Sequence, residues 1–155
     1  MTTTILSVLE QPYFDFLVLR RGECWESPGR LKKVCFHNPN ALLVHDSTVH
    51  VFVDAFGDSH PEFNYFGPTE YLSENLSSLQ VRLQLQLKAI SSCENQGQFI
   101  EILPKGTTRR YERSIEAWPS KWEAIRDELA EQGRKILDLA ERAQREDQAL
   151  LVMGI

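Results

Sequence analysis

The stretch ALLVHDSTVHVFVD, residues 41–54, decides how the first half of the chain is interpreted. Residues 41–45 are rich in Leu and Val, apolar and polar side chains alternate in HDSTVHVFVD (45–54) with the period of a β-strand, and the Asp46-Ser47 pair suits a tight turn. We therefore predict a β-hairpin in which residues 41–45 pair with residues 48–56. Its apolar face, expected in the core, consists of Leu42, Val44, Val49, Val51 and Val53. Its other face carries His45, Thr48, His50, Phe52 and Asp54.

The flanking sequence predicts further strands. YFDFLVL (13–19), LKKVCFH (31–37) and QFIEIL (98–103) are rich in residues that favour strands. The turn signal SPGR (27–30) separates the first two of these strands, and NPN (38–40) separates the second from residues 41–45. Because connections this short favour antiparallel neighbours, we predict an antiparallel β-meander sheet of about five strands.

Two amphipathic helices are predicted after residue 68. Five leucines and Ile90 recur at helical spacing from Leu72 onwards, although VRLQLQL (81–87) also alternates as a strand would. That segment is therefore helix throughout, which the longer pattern favours, or a short helix followed by a strand. A long apolar stripe from Trp118 to Leu150 predicts the C-terminal helix, in which Gly133 marks a kink or a break.

These elements define an α+β fold class, with the sheet covered on one face by the central helix and the long C-terminal helix. A chain of 155 residues with 42% apolar and 25% charged residues is typical of a globular protein. We predict that residues 1–155 form one domain.

The sequence predicts a cytoplasmic protein without a membrane segment. The N-terminal stretch MTTTILSVLEQPYFD has no basic region before its short apolar run, and no run approaches the roughly eighteen apolar residues of a membrane helix. Cys24, Cys35 and Cys93 are odd in number and widely spaced, so they predict neither a disulfide framework nor a structural zinc site. No cofactor-binding motif is found, and we predict no cofactor.

The net charge of −5 is concentrated in the middle of the chain. No lysine or arginine occurs between Lys33 and Arg82. The carboxylates of that stretch are Asp46, Asp54, Asp58, Glu62, Glu70 and Glu74, and the histidines of the chain, His37, His45, His50 and His60, lie there too. Such a segment creates a negative field, which disfavours nucleic acid and favours a basic partner.

Residues 53–74, which we call the acidic aromatic segment, combine this charge with large rings. Aromatic anchors surrounded by carboxylates are typical of a surface that docks onto a basic protein. The alternative is that several rings seal the sheet to the first long helix, and both roles are compatible. The residues predicted to bind the partner are Asp54, Asp58, Glu62, Phe63, Tyr65, Phe66, Glu70 and Glu74.

The function predicted from the sequence is a non-catalytic protein-binding module. An inhibitor or immunity-type protein fits this pattern, because fixed carboxylates can occupy the cationic cleft of a toxin or nuclease. The apolar stripe from Trp118 to Leu150 is long, and the chain ends in the apolar LLVMGI (150–155), so part of this surface could be buried against a second copy in a homodimer.

The alternative is a small metal-dependent hydrolase or lyase that uses His45, His50 and Asp54. Their spacing matches no established ligand pattern, so we predict neither a metal site nor catalytic residues. A nucleic-acid role would depend on KGTTRRYERS (105–114), where Tyr111 could stack on a base. Acidic neighbours dilute its charge, and we interpret it as a solvated turn before the last helix.

Overall fold

The structure is a computed structural model, and it describes Leu6, residues 13–36 and residues 38–154. The α+β fold class is confirmed: the described residues contain an antiparallel four-stranded sheet, a small two-stranded sheet and a long C-terminal helix that contacts the larger sheet. The strands are β1 (Tyr13–Leu19), β2 (Trp25–Ser27), β3 (Arg30–Leu31), β4 (Leu42–His45), β5 (Pro68–Tyr71) and β6 (Ala149–Met153). The helices are α1 (Asp46–Val51), α2 (Val53–Ser59), α3 (Ser73–Ser91), α4 (Gln96–Ile102), α5 (Lys105–Ser114) and α6 (Trp122–Arg145).

The larger sheet has the strand order β4-β1-β6-β5, and every neighbouring pair is antiparallel. The last strand of the chain thus lies between the first and the fifth, so the order is not that of a meander of consecutive hairpins. All five residues of β6 are buried, because helices cover one face of the strand and a small apolar cluster around Cys24 and Cys35 covers the other. A strand buried on both faces is a continuous apolar run, which explains why ALLVM did not alternate.

The predicted hairpin at 41–54 is wrong after His45. Residues 42–45 do form a strand, but its partner is β1, with Tyr13 opposite His45 and Phe16 opposite Leu42. Residues 46–59 form two short helices instead of a strand. The same stretch carries both periods, and burial follows the helical one: Phe52, expected outside, is fully buried, whereas Val53, expected inside, is only half-buried.

Two other predicted strands are wrong as well. Residues 96–102 are helical, and the Asn95 side chain caps this helix by accepting the Gln98 N–H at 2.9 Å. Of the predicted strand 31–37, only Leu31 is in a strand, the short β3 that pairs with β2. Residues 33–35 form a 3₁₀ turn, and His37 lies outside the described residues.

The two amphipathic helices are confirmed, but the C-terminal one is shorter than the stripe predicted, since α6 spans Trp122–Arg145, Trp118 begins a 3₁₀ turn and Leu150 lies in a strand. α3 runs through residues 81–87 without interruption, which decides between the two periods in favour of the helix. α6 continues through Gly133. This glycine allows close packing, since a Cβ there would lie 2.6 Å from Leu87 Cδ2 and 2.7 Å from Phe52 Cζ.

Two apolar clusters hold the sheet. The larger one joins Phe14 and Phe16 of β1 to the buried faces of the helices, and the smaller one joins Leu17 and Met153 to the loops on the opposite face. The apolar stripe of α6 lies inside the larger cluster, and Leu150 belongs to β6. The stripe is therefore not the surface through which a homodimer could form.

In the part of the chain that the structure describes, no helix is both long enough and apolar enough to cross a membrane.

Candidate protein-binding surface

The loop of residues 60–67 connects α2 to β5 and is clamped by a histidine at its start. His60 Nε2–H donates to the Glu70 carbonyl oxygen at 3.1 Å, and the Glu62 N–H donates to His60 Nδ1 at 3.1 Å. One tautomer, with its hydrogen on Nε2, makes both bonds. The imidazole therefore joins the loop to the edge of the sheet.

The second half of the loop is clamped by Asn64 and by the end of β6. The side-chain oxygen of Asn64 accepts the Phe66 N–H at 3.0 Å, and the Asn64 N–H donates to Thr69 Oγ1 at 3.1 Å. Gly154 passes so close that a Cβ on it would lie 1.9 Å from the Tyr65 carbonyl oxygen. A loop held in this way loses little conformational entropy when a partner binds.

The three aromatic residues of this loop divide between core and surface. Phe63 stacks on the buried Phe56 ring with centroids 5.6 Å apart, and Tyr65 meets Phe14 edge to face at 5.0 Å. Phe66 contacts only the edge of the Tyr65 ring among these rings, with centroids 5.2 Å apart, and is 75% exposed. Both roles that the sequence left open are therefore present: two rings attach the loop to the core, and the third is presented to solvent.

The carboxylates of α2 and of the loop itself are exposed. Asp54 and Asp58 lie one turn apart on α2, which leads directly into the loop, and Glu62 is in the loop itself. Asp58 lies 3.5 Å from Arg82. Within the described ranges, Asp54 and Glu62 have no salt-bridge partner. These two carboxylates keep their charge available to a cationic partner.

Glu70 has a structural task in addition to its charge. Its Oε2 accepts the Gly22 N–H at 3.1 Å and the Cys24 thiol at 3.4 Å, which attaches residues 20–35 to β5. Burial, together with the charge of Glu70, raises the pKa of Cys24 to about 12.

Glu74 lies apart from the other predicted residues. It lines a separate cleft at the start of α3, together with Arg21, Gln144 and Asp147. Arg21 pairs with Asp147 across this cleft. The structure thus brings Glu62, Phe63, Tyr65, Phe66 and Glu70 into one region, but it does not join Glu74 to them.

A groove of about 380 Å³ runs beside β5, next to the loop. Its lining includes Trp25, His60, Glu62, Pro68 and Glu70. We call it the β5 groove. Two carboxylates and a half-buried indole suit a cationic side chain. Trp25 was not predicted to belong to this surface, because it is far from residues 60–70 in the chain and the hydrogen bonds of Glu70 to Gly22 and Cys24 bring it there.

The three residues of the metal hypothesis lie on three different elements. His45 ends β4, His50 is in the last turn of α1, and Asp54 is on α2. Among the residues that the structure describes, no three His, Cys, Asp or Glu side chains are close enough to hold a metal ion. The shared strand face on which the hypothesis depended is absent, because residues 46–59 are helical.

His50 belongs instead to a polar contact between α1 and α5. A 2.8 Å hydrogen bond joins His50 Nδ1 to Thr107 Oγ1. One turn earlier, the Asp46 carboxylate, only 9% exposed, accepts from Arg110 Nη1 at 3.0 Å. Burial lowers the pKa of His50, and the nearby Arg110 charge lowers it further. Asp46 was predicted to lie in a turn, and this polar contact was not predicted.

The basic segment 105–114 is the helix α5 and not a turn. Tyr111, the ring that could have stacked on a base, is completely buried. Lys105, Arg109 and Arg113 lie on successive turns of α5 and are exposed. The hypothesis of nucleic-acid binding through Tyr111 is therefore excluded.

Fold and surface together define an α+β protein that presents one exposed aromatic side chain on a clamped loop, with carboxylates on the loop, on α2 and on β5. Searches against protein-family models, curated proteins and solved structures find no match to this chain. The function is therefore argued from the site alone.

Proposed function

We propose that this chain is a non-catalytic protein-binding module that docks its acidic surface onto a basic protein. The binding surface consists of the loop 60–67, the exposed carboxylates of α2 and the β5 groove. The single observation that carries the proposal is Phe66, a large apolar ring that stays 75% exposed although its loop is clamped. Exposing such a ring costs free energy, and burying it against a partner recovers that free energy.

The rigidity of the loop supports this role. Binding energy in protein interfaces is concentrated in a few anchors, among which aromatic residues are common, and anchors that are already ordered bind with the smallest entropic cost. Phe63 and Tyr65 hold the loop from below through their contacts with Phe56 and Phe14. In this proposal they position Phe66 and do not contact the partner themselves.

The charge of the surface indicates the chemistry of the partner. Asp54 and Glu62 have no salt bridge among the described residues, and the chain has no lysine or arginine between Lys33 and Arg82. Such a field speeds the approach of a cationic protein and repels nucleic acid. Glu62, Glu70 and Trp25 then offer the β5 groove to a lysine or arginine side chain of the partner.

Among basic proteins, we propose a toxin or nuclease, which this chain would inhibit in the manner of an immunity protein. Carboxylates on a rigid scaffold can take the places of substrate phosphates in a cationic cleft and block it without a reaction. We place this encounter in the cytoplasm, where the three buried cysteines, which are free thiols in the structure, would stay reduced.

The proposal is tested by capture and then by inhibition. Immobilised protein is incubated at low salt with the basic proteins encoded beside its gene, and each bound protein is then titrated in purified form. We expect one of them to bind and to be released as ionic strength rises. Phe66→Ala should weaken binding about tenfold or more, which corresponds to at least about 1.4 kcal/mol.

Val34→Ala is the matched control, because Val34 is a similarly exposed apolar residue on another part of the surface, at 65%. If Phe66→Ala and Val34→Ala bind the partner as well as the wild type does, the surface is misassigned. If the captured protein is a nuclease whose activity the chain leaves unchanged, the inhibitor role is wrong.

A further inference from the structure

Two apolar side chains of α3 face solvent, and neither the core nor the proposed binding surface uses them. Val81 is 56% exposed and Leu85 is 64% exposed, one helical turn further on. They belong to VRLQLQL, the segment with both strand and helix periods. Because the segment is helical, Leu83 and Leu87 are buried, and Val81 and Leu85 form an apolar ridge on the opposite side of the helix.

A hollow beside this ridge has the shape of a socket for a side chain from another helix. Its lining includes Ser78, Val81, Arg82 and Leu85. These positions follow the spacing i, i+3, i+4 and i+7, which places four side chains around one hole on a helix surface. Holes of four residues receive the knobs of a facing helix in coiled-coil packing. The small Ser77 and Ser78 side chains at its edge let a second helix approach closely.

The charges on this face select the direction of the second helix. Glu74, Val81 and Lys88 follow one another at intervals of seven residues, so the ridge has a carboxylate towards its N-terminal end and an ammonium towards its C-terminal end. Glu74 and Lys88 are both exposed, and neither has a salt bridge within the described residues. A parallel copy would oppose like charges, whereas an antiparallel copy brings opposite charges together.

We propose that two copies of this chain associate through the outer faces of α3, antiparallel about a two-fold axis near residue 83. Leu85 of each copy enters the hollow beside Val81 of the other copy. The same symmetry places Lys88 about one turn, roughly 6 Å, from the level of the other copy's Glu74, within reach of both side chains. The face is complementary to itself, which is the requirement for an isologous dimer.

The test measures association by analytical ultracentrifugation of the full chain over a wide concentration range. We expect a monomer–dimer equilibrium, and Leu85→Glu should raise its dissociation constant about tenfold or more, since each dimer loses two knobs and gains two buried charges. Val34→Glu, a charge placed on an equally exposed apolar residue elsewhere, should leave the equilibrium unchanged. Circular dichroism of each variant checks that the fold is retained.

Charge reversal tests the antiparallel direction. Glu74→Lys and Lys88→Glu should each weaken the dimer, and the double variant should restore it, because the pair is then inverted but still complementary. A chain that stays monomeric at every concentration overturns the proposal. So does a dimer that Leu85→Glu leaves intact, or one in which the double reversal is no better than either single change.

Discussion

Replacing Gly57 and Gly133 by alanine, one at a time, should change stability in opposite directions. Gly57 is exposed on α2, and a Cβ there meets no atom within 4 Å. Alanine loses less backbone entropy than glycine when a helix forms, so Gly57→Ala should stabilise the protein by about 0.5–1 kcal/mol.

The same substitution at Gly133 has a steric cost. The new Cβ would lie 2.6 Å from Leu87 Cδ2 and 2.7 Å from Phe52 Cζ, and both side chains are buried in the main core. Overpacking of this kind costs roughly 1–3 kcal/mol, against which the helical preference of alanine returns about 1 kcal/mol. The expected net effect of Gly133→Ala is a loss of up to about 2 kcal/mol.

Thermal unfolding followed by circular dichroism resolves these effects. With about 2.1 cal/mol/K of unfolding entropy per residue, a chain of 155 residues has roughly 0.33 kcal/mol/K, so each kcal/mol shifts Tm by about 3 °C. Gly57→Ala should raise Tm by about 1.5–3 °C, and Gly133→Ala should lower it by up to about 6 °C. A lower Tm for Gly57→Ala would mean that residues 53–59 are not helical, and a higher Tm for Gly133→Ala would contradict the close crossing of α6 with α3.

Three further outcomes are expected. Arg110→Ala removes the cation beside the nearly buried Asp46 carboxylate, so urea titration should show that the free energy of unfolding falls by about 1–3 kcal/mol. An unchanged urea midpoint would show that the Asp46–Arg110 ion pair does not stabilise the protein. Burial keeps the pKa of His50 below its ordinary value of 6.5, so the free energy of unfolding should fall as the pH drops below about 6.5 and through the lowered pKa. His50→Asn should flatten this dependence, and an unaltered pH profile would contradict the buried position of His50. Burial raises the pKa of Cys24, Cys35 and Cys93, so a thiol reagent should label these residues slowly in the native protein and all three rapidly in the denatured protein. Rapid labelling of any of the three in the native protein would show that this cysteine is not buried.

The candidate surface was only partly accessible to sequence reasoning. The uneven charge and the group of aromatic residues at 53–74 are visible in the chain itself. The sequence does not show which of these rings reaches solvent, because Phe63, Tyr65 and Phe66 are close neighbours in the chain and are all aromatic. The contacts of Phe63 and Tyr65 with Phe56 and Phe14 decide this, and those contacts need the folded core.

The elements that the sequence determined by itself are those in which one period dominates over many residues. α3 with 19 residues and α6 with 24 bury apolar side chains at helical spacing, and a competing alternation over a few positions could not outweigh that. β1 was identified as well, because its aromatic and branched residues favour a strand.

Tertiary structure decided the short segments. Residues 46–59 satisfy both periods, and they are helical because β1 obtains its partners from β4 and β6, which leaves the faces of Val49, Phe52 and Phe56 to be buried against the core. The position of β6 between β1 and β5 depends on pairing across most of the chain, and no local pattern encodes that distance. Short-range periodicity determines which side of an element is apolar, but only long-range contacts determine what covers it.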